Sequence, residues 1–395
     1  MRLIFVNRFY WPETPATAQL LTDLAEGLAA RGHDVTIITS APAGKTNLRC
    51  ETHRGVRIQR VRGTRWARVG LLGKAVDFAS FYLGALVRLL LDTPHGATVV
   101  ALTDPPLLAI GVGWVARLRR ARTVHWVQDI YPELAIELAG QSWLSFVRPL
   151  RDRAWWQAAA CVTLGTDMAA LLQGAGVTAD KIKLVPNWGP DGTVALPRAA
   201  GAALRADWGL GDKFVVAYSG NLGRVHDLEP VLAVAARLRD EPGIAFLFVG
   251  DGAQRAALQA TAVRLGLANV IFRPPQPRAR LAESLAVGDL HLVTLRPGCE
   301  RLVFPSKLYG IAAAGRPVCF IGPRECEVAR IVREHDLGHA AGREDADELA
   351  AFIRRLARDP AAAARHAAAA QRFAQIHEAA AAVTAWESLL AATEA

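Results

Sequence analysis

Two segments of the chain place small and basic residues where a strand pattern passes into a helix pattern. The first, VVAYSGNLGRVHDLEPVLAVAARL at residues 215–238, runs from an apolar strand through Gly220 and Asn221 into a helix. Glycines let the backbone approach a ligand closely, and the free N–H groups at a helix N-terminus favour an anion. Arg224 adds a forked donor that suits phosphate oxygens. The alternative interpretation is an ordinary glycine-rich turn.

The second segment, RPGCERLVFPSKLYGIAAAGRPV at residues 296–318, brings Ser306 and Lys307 to the beginning of a helix with few side chains. Lys307 is one of only six lysines, and a lysine at this position opposes the helix dipole. A diphosphate bound between the two segments would remove that conflict. Glu300 can accept hydrogen bonds from sugar hydroxyls. The residue types therefore predict an anion site that can also bind a sugar.

Strand and helix patterns alternate along the whole chain, which positions these segments at strand ends. Runs such as VVAL are apolar on both faces, as in a parallel sheet covered by helices. Residues 186–204 are rich in Pro and Gly and are predicted to be a linker. The pattern predicts two doubly wound α/β domains, with ligands bound at the carboxyl ends of their strands in a cleft between them.

Composition and charge limit the kind of protein. The 395 residues are 52% hydrophobic, and the formal charge is +9. Residues 1–190 hold 22 Lys and Arg against 14 Asp and Glu, so the first half has nearly all of the surplus and should meet an anionic partner. The five scattered cysteines indicate reduced thiols in a cytoplasmic protein. No transmembrane helix is predicted, since the apolar run 76–91 contains Asp77 and Arg88 and is short for a span.

Several generic motifs are missing or out of context. GVGWVA at 111–116 lies inside an apolar helix pattern instead of following a strand, so it does not predict dinucleotide binding. DAD at 345–347 opens a helix pattern, where acidic residues are expected for capping. No His or Cys cluster has metal-ligand spacing, and we predict neither a metal nor a cofactor.

Five segments together resemble the retaining, GT-B-fold glycosyltransferases of family 4, especially the colanic-acid, O-antigen and capsule branch. They are YSGNLGRVHDLEPVL, FPSKLYGIAAAGRPV, the N-terminal NRFYWPETPATAQLL, HWVQDIYPELA at 125–135, and VPNW. The resemblance covers essentially the whole chain. It implies an α/β fold of two Rossmann-like domains facing a central cleft: an acceptor domain over 1–188, a nucleotide-sugar domain over 200–365, and C-terminal helices over 366–395 that return to the first domain.

The resemblance also implies site residues in the second domain. The donor-binding candidates are Gly220, Asn221, Arg224, Ser306, Lys307 and Glu327. This sequence departs from better-known relatives, which have Lys-Gly in place of His226-Asp227 and an acid in place of Gly310. Glu300 is only a near match to the first of two family glutamates, the second being the position of Gly310, and we take Glu300 as a catalytic candidate. For Glu327 the alternative is a surface residue in the first turn of a helix.

In the first domain, Asp129 follows the strand pattern TVHWVQ, where a base for the acceptor hydroxyl would lie. The alternative is a helix cap, a position that favours Asp. Glu133 lies one helical turn later, and Thr17 begins the first helix pattern. The family resemblance makes Asp129 a catalytic candidate and places Glu133 and Thr17 on the acceptor side.

The implied activity is transfer of a sugar from a nucleoside-diphosphate sugar to a polyprenyl-diphosphate-linked glycan in surface polysaccharide synthesis. Two alternatives remain open: a nucleotide-sugar 2-epimerase or hydrolase of the same fold, and a basic nucleic-acid-binding protein without enzymatic activity. We favour the transferase and expect no nucleic-acid partner.

A basic cluster from Arg54 to Arg68 surrounds Trp66 and precedes the apolar run, which suits a protein lying on the inner face of an anionic plasma membrane. The alternative is that these arginines only solvate a strand and that residues 70–91 form a core helix.

Overall fold

The computed structural model describes residues 1–42, 50–64, 66, 71–190 and 192–394. These residues form two compact units. The first comprises 1–187, 301–304 and 379–395, and the second comprises 188–300 and 305–378. The linker predicted over 186–204 therefore contains the change from one unit to the other.

The first unit is built on a sheet with the strand order β3-β4-β2-β1-β5-β6-β7-β8. All neighbours pair in parallel except β3 with β4. The strands are β1 (Arg2–Val6), β2 (Asp34–Ser40), β3 (Cys50–His53), β4 (Val56–Val61), β5 (Thr98–Ala101), β6 (Arg122–Val127), β7 (Ala160–Thr163) and β8 (Ile182–Leu184). β5 and β7 are buried along their whole length, as the apolar runs predicted.

The helices of this unit are α1 (Ala16–Ala30), α2 (Leu71–Asp92), α3 (Leu108–Leu118), α4 (Glu133–Ala139), α5 (Arg148–Gln157), α6 (Thr166–Gly174) and α15 (Ala379–Glu394), with 3-10 helices at Ser142–Val147 and Ala179–Lys181. α2 and α3 share a core with strands β1, β2, β4 and β5. GVGWVA lies inside α3, in agreement with the sequence pattern.

The expected return of a C-terminal helix to the first domain is confirmed for α15. Trp386 is buried against Trp126, with ring centroids 4.9 Å apart, and against Phe5 at 6.5 Å. Arg31 and His33 both bind the Glu387 carboxylate at 2.7 Å. The return begins at Ala379, later than residue 366, because the preceding helix packs in the second unit.

The second unit has a parallel sheet with the order β11-β10-β9-β12-β13-β14. Its strands are β9 (Phe214–Ser219), β10 (Ile244–Val249), β11 (Val270–Arg273), β12 (Leu290–Thr294), β13 (Val318–Ile321) and β14 (Gly338–Ala341). Its helices are α7 (Ala202–Asp207), α8 (Glu229–Arg237), α9 (Arg255–Arg264), α10 (Leu281–Ala286), α11 (Lys307–Ala313), α12 (Glu327–Glu334), α13 (Ala346–Arg358) and α14 (Pro360–Ile376), with 3-10 helices at Arg198–Gly201 and Arg278–Arg280.

β9 and β12 are neighbours at the centre of this sheet, and their carboxyl ends lie at the same edge. The turn after β9 and the segment after β12 contain the two motifs that the sequence analysis singled out. The topology therefore brings the residues of both motifs together.

Candidate functional site

Lys307, the first residue of α11, extends its side chain over the ring of Tyr218 near the end of β9. Its Nζ lies 3.6 Å from the ring centroid. Nζ is buried and has no hydrogen-bond partner among the residues that the structure describes. Burial holds the pKa of Lys307 well below its usual value, since desolvation penalises the charged form. The ring face compensates only in part, so this ammonium is suited to an incoming anion.

Gly220 gives Lys307 its room. Its φ is +132°, and a Cβ at this position would lie 3.4 Å from Nζ. The turn rests on the loop after β10, where Gly250 has φ +151° and a Cβ would be 1.9 Å from the Gly220 carbonyl oxygen. Both positions require glycine on conformational grounds, and Gly250 also on steric grounds. Between them they keep the space beside Lys307 open.

His226 lies under the same turn. Its Nδ1 is 2.8 Å from the Thr294 carbonyl oxygen, and its ring meets Tyr218 edge-on at 5.8 Å. Burial, reinforced by the charge of Lys307, lowers the pKa of His226 to about 3. The imidazole is therefore neutral at physiological pH.

Asn221 and Arg224 occupy the outer part of the turn, and both are exposed. The Asn221 carbonyl accepts a hydrogen bond from the Tyr218 hydroxyl at 2.8 Å. Gln254 holds the turn from below, donating to the Gly223 and His226 carbonyls at 2.5 and 2.9 Å. Arg224 can thus reach a ligand from a supported backbone.

The other donor-side candidates differ in their surroundings. Ser306 is the N-cap of α11, but its side chain makes no capping hydrogen bond. The Glu300 carboxylate accepts a hydrogen bond from the Gly298 amide at 2.8 Å, within its own loop. Glu327 is half-buried in the first turn of α12, and its charge adds to burial in raising the pKa of Tyr309. Of these three, only Ser306 adjoins Lys307.

The sparse side chains of α11 are explained by close packing. A Cβ on Gly189 would lie 2.9 Å from the Cβ of Ala313, so the chain after the first unit passes directly against this helix. Tyr309 stacks on Phe373 of α14 with centroids 5.9 Å apart. A Cβ at Gly310 would meet only Pro190 at an ordinary 3.5 Å. The packing around Gly310 therefore has room for a Cβ atom.

In the first unit, Asp129 follows β6 at the strand edge where β1 and β5 also end. Burial and the nearby charge of Asp104 raise the pKa of Asp129 to about 7. Asp104 is itself paired with Arg8 at 3.0 Å. The Asp129 amide donates to Thr103 Oγ1 at 3.3 Å, and its backbone forms a bridge with Val303, which belongs to this unit. A carboxyl group with this pKa can exchange a proton near neutrality.

Glu133 has a different environment from Asp129. Its two oxygens accept hydrogen bonds from the guanidinium of buried Arg151 at 2.8 and 2.9 Å, and Arg148 lies 3.1 Å away. Hydrogen bonds and charge from Arg151 outweigh burial and lower the pKa of Glu133. This carboxylate is ionised and anchors α4 to α5, a structural task that the sequence did not indicate.

Thr17 is half-buried in the first turn of α1, which follows β1. A cavity of about 30 Å³ adjoins Asp129 and is lined by His125, Tyr131 and Arg151 among others. Neither ring nitrogen of His125 has a hydrogen-bond partner among the described residues, and burial lowers the pKa of His125 to about 4.

Sequence reasoning missed three neighbours of the candidate residues: Tyr218, Asp104 and Arg8. Tyr218 occupies a core position of an apolar strand, where nothing distinguishes it from a packing residue. Arg8 and Asp104 are far apart in the chain and meet because β1 and β5 are adjacent. The one feature of the sequence that could have indicated Arg8 and Asp104 is that each follows a strand pattern.

Within the described residues, no group of three or more His, Cys, Asp or Glu side chains is arranged to hold a metal ion. The two DAD carboxylates are engaged elsewhere: Asp347 binds Arg237 at 2.6 Å, and Asp345 pairs with Arg324. The structure thus gives these acids ion-pair partners at the start of α13.

Comparison with known proteins identifies both units. Residues 17–188 match the model of the glycosyl transferase 4-like domain, and residues 213–359 match that of the glycosyl transferases group 1. Over 335 residues the chain is 31% identical to WcaI of Escherichia coli K12, described as a colanic acid biosynthesis glycosyl transferase, with 80% of this chain and 82% of that protein covered. WbjE, a glycosyltransferase of Pseudomonas aeruginosa, is 27% identical over 71% of this chain and 70% of its own length.

Solved structures show the same architecture. HepE from Anabaena, crystallised with UDP, is 17% identical and superposes with a TM-score of 0.76 over 99% of this chain and all of that one. Two parallel-sheet Rossmann-like units with C-terminal helices define the GT-B class of glycosyltransferases. The chain belongs to family 4 of these enzymes, with the 4-like and group 1 domains in tandem. The fold and family that the motifs predicted are confirmed.

Proposed function

We propose that this glycosyltransferase transfers a sugar, with retention of anomeric configuration, from a nucleoside-diphosphate sugar to a lipid-linked glycan during surface polysaccharide synthesis. The buried Nζ of Lys307, which has no hydrogen-bond partner among the described residues, carries the proposal. Support for the substrate class comes from WcaI, named for colanic acid, and from HepE, crystallised with UDP-glucose.

On the donor side, Lys307 would bind the diphosphate. An ammonium removed from water and lacking a counter-charge raises the free energy of the free protein. A diphosphate beside Gly220 would relieve that cost, and Arg224 would supply a second positive charge. As the bond from the anomeric carbon to phosphate breaks, the negative charge grows on the leaving diphosphate, and these two residues stabilise it. We therefore propose transfer without a required divalent metal.

On the acceptor side, Asp129 would receive the proton of the attacking hydroxyl. With a pKa of about 7, its carboxylate form is substantially populated at neutral pH and is basic enough to accept a proton. The acceptor oxygen forms its bond to the anomeric carbon on the face that the phosphate leaves, which retains the configuration. Glu300 stays a proposed contact for sugar hydroxyls, and Glu133 and Thr17 stay proposed acceptor-side residues.

A lipid-linked acceptor requires the enzyme to work at a membrane. We propose a peripheral location on the inner face of the plasma membrane. Among the described residues, no helix is both long enough and apolar enough to cross a bilayer.

The proposal is tested first by thermal unfolding with UDP-, GDP- and dTDP-sugars. A ligand that binds the native state raises the melting temperature. One nucleotide series should stabilise the protein, and its sugar should then appear on a polyprenyl-diphosphate glycan. Absence of stabilisation by every series contradicts the donor assignment. Epimerisation of the nucleotide sugar without acceptor contradicts the transferase assignment.

A further inference from the structure

Helix α2 has apolar side chains on two opposite faces. Phe81, Ala85 and Leu89 are buried in the core of the first unit. On the outward side lies a second apolar series, all exposed: Leu72, Val76, Leu83, Val87, Leu90 and Leu91. At 1.5 Å per residue this outward stripe is about 28 Å long. The outward face of a surface helix is normally polar, so this stripe suits an apolar environment other than the core.

The stripe continues onto neighbouring helices. α3 packs against both α2 and α5, and the Tyr82 hydroxyl donates to the Leu107 carbonyl at 2.7 Å. α3 exposes Trp114 and Leu118, and the 3-10 helix before α5 exposes Trp143 and Phe146, whose rings stack with centroids 6.0 Å apart. We call the outward apolar side chains of α2, α3, this 3-10 helix and α5 the apolar face. Single exposed apolar residues are normal on a protein surface, but an exposed apolar surface of this extent indicates a binding surface.

Most of the unpaired charges beside this face are positive. Arg117 and Arg120 at the end of α3 and Arg153 on α5 are exposed, and none has an ion-pair partner among the residues described. Of the nearby acids, Asp92 pairs with Arg88 at 3.1 Å and Asp152 with Arg151 at 2.7 Å. Glu137 on α4 is exposed and has no ion pair within the described part of the chain. The apolar face therefore has a basic margin.

We propose that the apolar face is the surface with which this protein lies on an anionic membrane. The inference deepens the proposed function and rests on it, because a lipid-linked acceptor is embedded in such a surface. Tryptophan side chains favour the region between headgroups and acyl chains. Arginines at the margin bind anionic headgroups. In this proposal α2 lies in the plane of the interface with its outward stripe toward the acyl chains.

A second copy of the chain fits this face less well. In a two-fold dimer each surface meets its own equivalent, so the basic margins of the two copies would lie close together. Like charges placed across an interface repel. An anionic lipid surface complements both the apolar side chains and the arginines.

Three of the six arginines in the basic cluster predicted from the sequence for membrane contact are paired with acids, while Arg62 is exposed without an ion pair to any described residue. Arg54 binds Glu26 at 2.9 Å, Arg57 lies 3.5 Å from Asp34, and buried Arg60 binds Glu51 at 2.5 Å. Arg65 and Arg68 lie outside the described residues. The structure therefore favours the apolar face over that cluster as the membrane surface.

The test is sedimentation of the full chain with vesicles of phosphatidylcholine and phosphatidylglycerol. The double variant Leu83→Asp and Val87→Asp should bind at least about tenfold more weakly than the wild type. Val263→Asp, an equally exposed apolar residue on α9, is the matched control and should bind normally. Replacing Arg117, Arg120 and Arg153 by Gln should weaken binding to the mixed vesicles and leave binding to pure phosphatidylcholine unchanged.

Equal vesicle binding by the wild type and the Leu83/Val87 variant overturns the proposal. The proposal is also overturned if the wild type does not bind vesicles but self-associates through this face. Analytical ultracentrifugation of the wild type and the Leu83/Val87 variant measures that self-association. Transfer to a water-soluble acceptor analogue separates this inference from the proposed function. If that transfer is intact while vesicle binding is absent, the proposed function stands and only the assignment of the membrane surface is wrong.

Discussion

Lys307 Nζ lies 3.6 Å from the centroid of the Tyr218 ring. Lys307 is the first residue of α11, and Tyr218 is the next-to-last residue of β9. The face of the aromatic ring replaces part of the water around the cation and does not neutralise its charge. It leaves the ammonium hydrogens available beside Gly220. The pair therefore resembles an anion site that is formed before its ligand binds. Its effect on the free energy of unfolding can be measured.

Lys307→Met removes the buried charge and keeps much of the side-chain volume. We expect the free energy of unfolding to rise by about 1–3 kcal/mol, because an unpartnered buried polar group is lost. Stabilisation by nucleotide sugars should disappear, and turnover should fall about 100-fold or more. Chemical denaturation and transfer assays measure the two effects. Lys213→Met, at the opposite end of β9, is the control and should change neither the stability nor the turnover. If Lys307→Met binds nucleotide as well as the wild type does, the assignment of Lys307 to the diphosphate site is contradicted.

Nucleotide-sugar binding should be linked to proton uptake at Lys307. Burial lowers the pKa of Lys307 in the free protein, and a bound diphosphate would raise it again. Affinity should thus be highest below the pKa of the free protein and should fall as pH rises through it. Calorimetry in two buffers with different ionisation enthalpies measures the protons taken up. The wild type should take up protons and Lys307→Met should not; uptake that persists in this variant assigns the proton to another group.

Asp129→Asn tests the catalytic role of this carboxyl group, which is not the cap of α4, because the N-cap of that helix is Pro132. The pKa of Asp129 is about 7 in the folded protein against an ordinary 3.8, so the folded state binds the proton more tightly. This group therefore contributes stability at acid pH that is lost as pH rises from about 4 to 7. The Asn variant escapes that loss and should be more stable than the wild type at pH 8, by about 1–4 kcal/mol. The difference should vanish at low pH.

The same Asp129→Asn substitution should abolish most sugar transfer, since an amide cannot accept the acceptor proton. Unfolding curves across pH and transfer rates at matched folded fractions give both readings. A variant that retains wild-type transfer would contradict the catalytic assignment of Asp129.

Glu133→Gln should weaken the fold, because Arg151 is buried and would lose one of its two charged partners. We expect a loss of about 1–3 kcal/mol in the free energy of unfolding. Glu137→Gln on the same helix is exposed and should be neutral. A Glu133→Gln variant with wild-type stability but a raised KM for the acceptor would favour the acceptor-side role over the structural one.

The sequence predicted the fold class because both of its causes are local. Apolar runs such as β5 and β7 specify buried parallel strands, and amphipathic patterns such as that of α1 specify the covering helices. The motifs around Gly220 and Lys307 were recognisable from their residue types, a glycine directly after an apolar strand and a lysine at a helix start. Where the C-terminal helix returns was misjudged by about one helix, since α14 and α15 have similar alanine-rich patterns and only packing separates them.

By itself, then, the sequence determined the alternation of strands and helices, the family, and which short segments carry unusual residues. The tertiary structure decided which side chains meet. It placed the Tyr218 ring under Lys307, joined Glu133 to Arg151, and raised the pKa of Asp129 through burial and Asp104. Burial and pairing depend on contacts between residues far apart in the chain, and no local pattern records them.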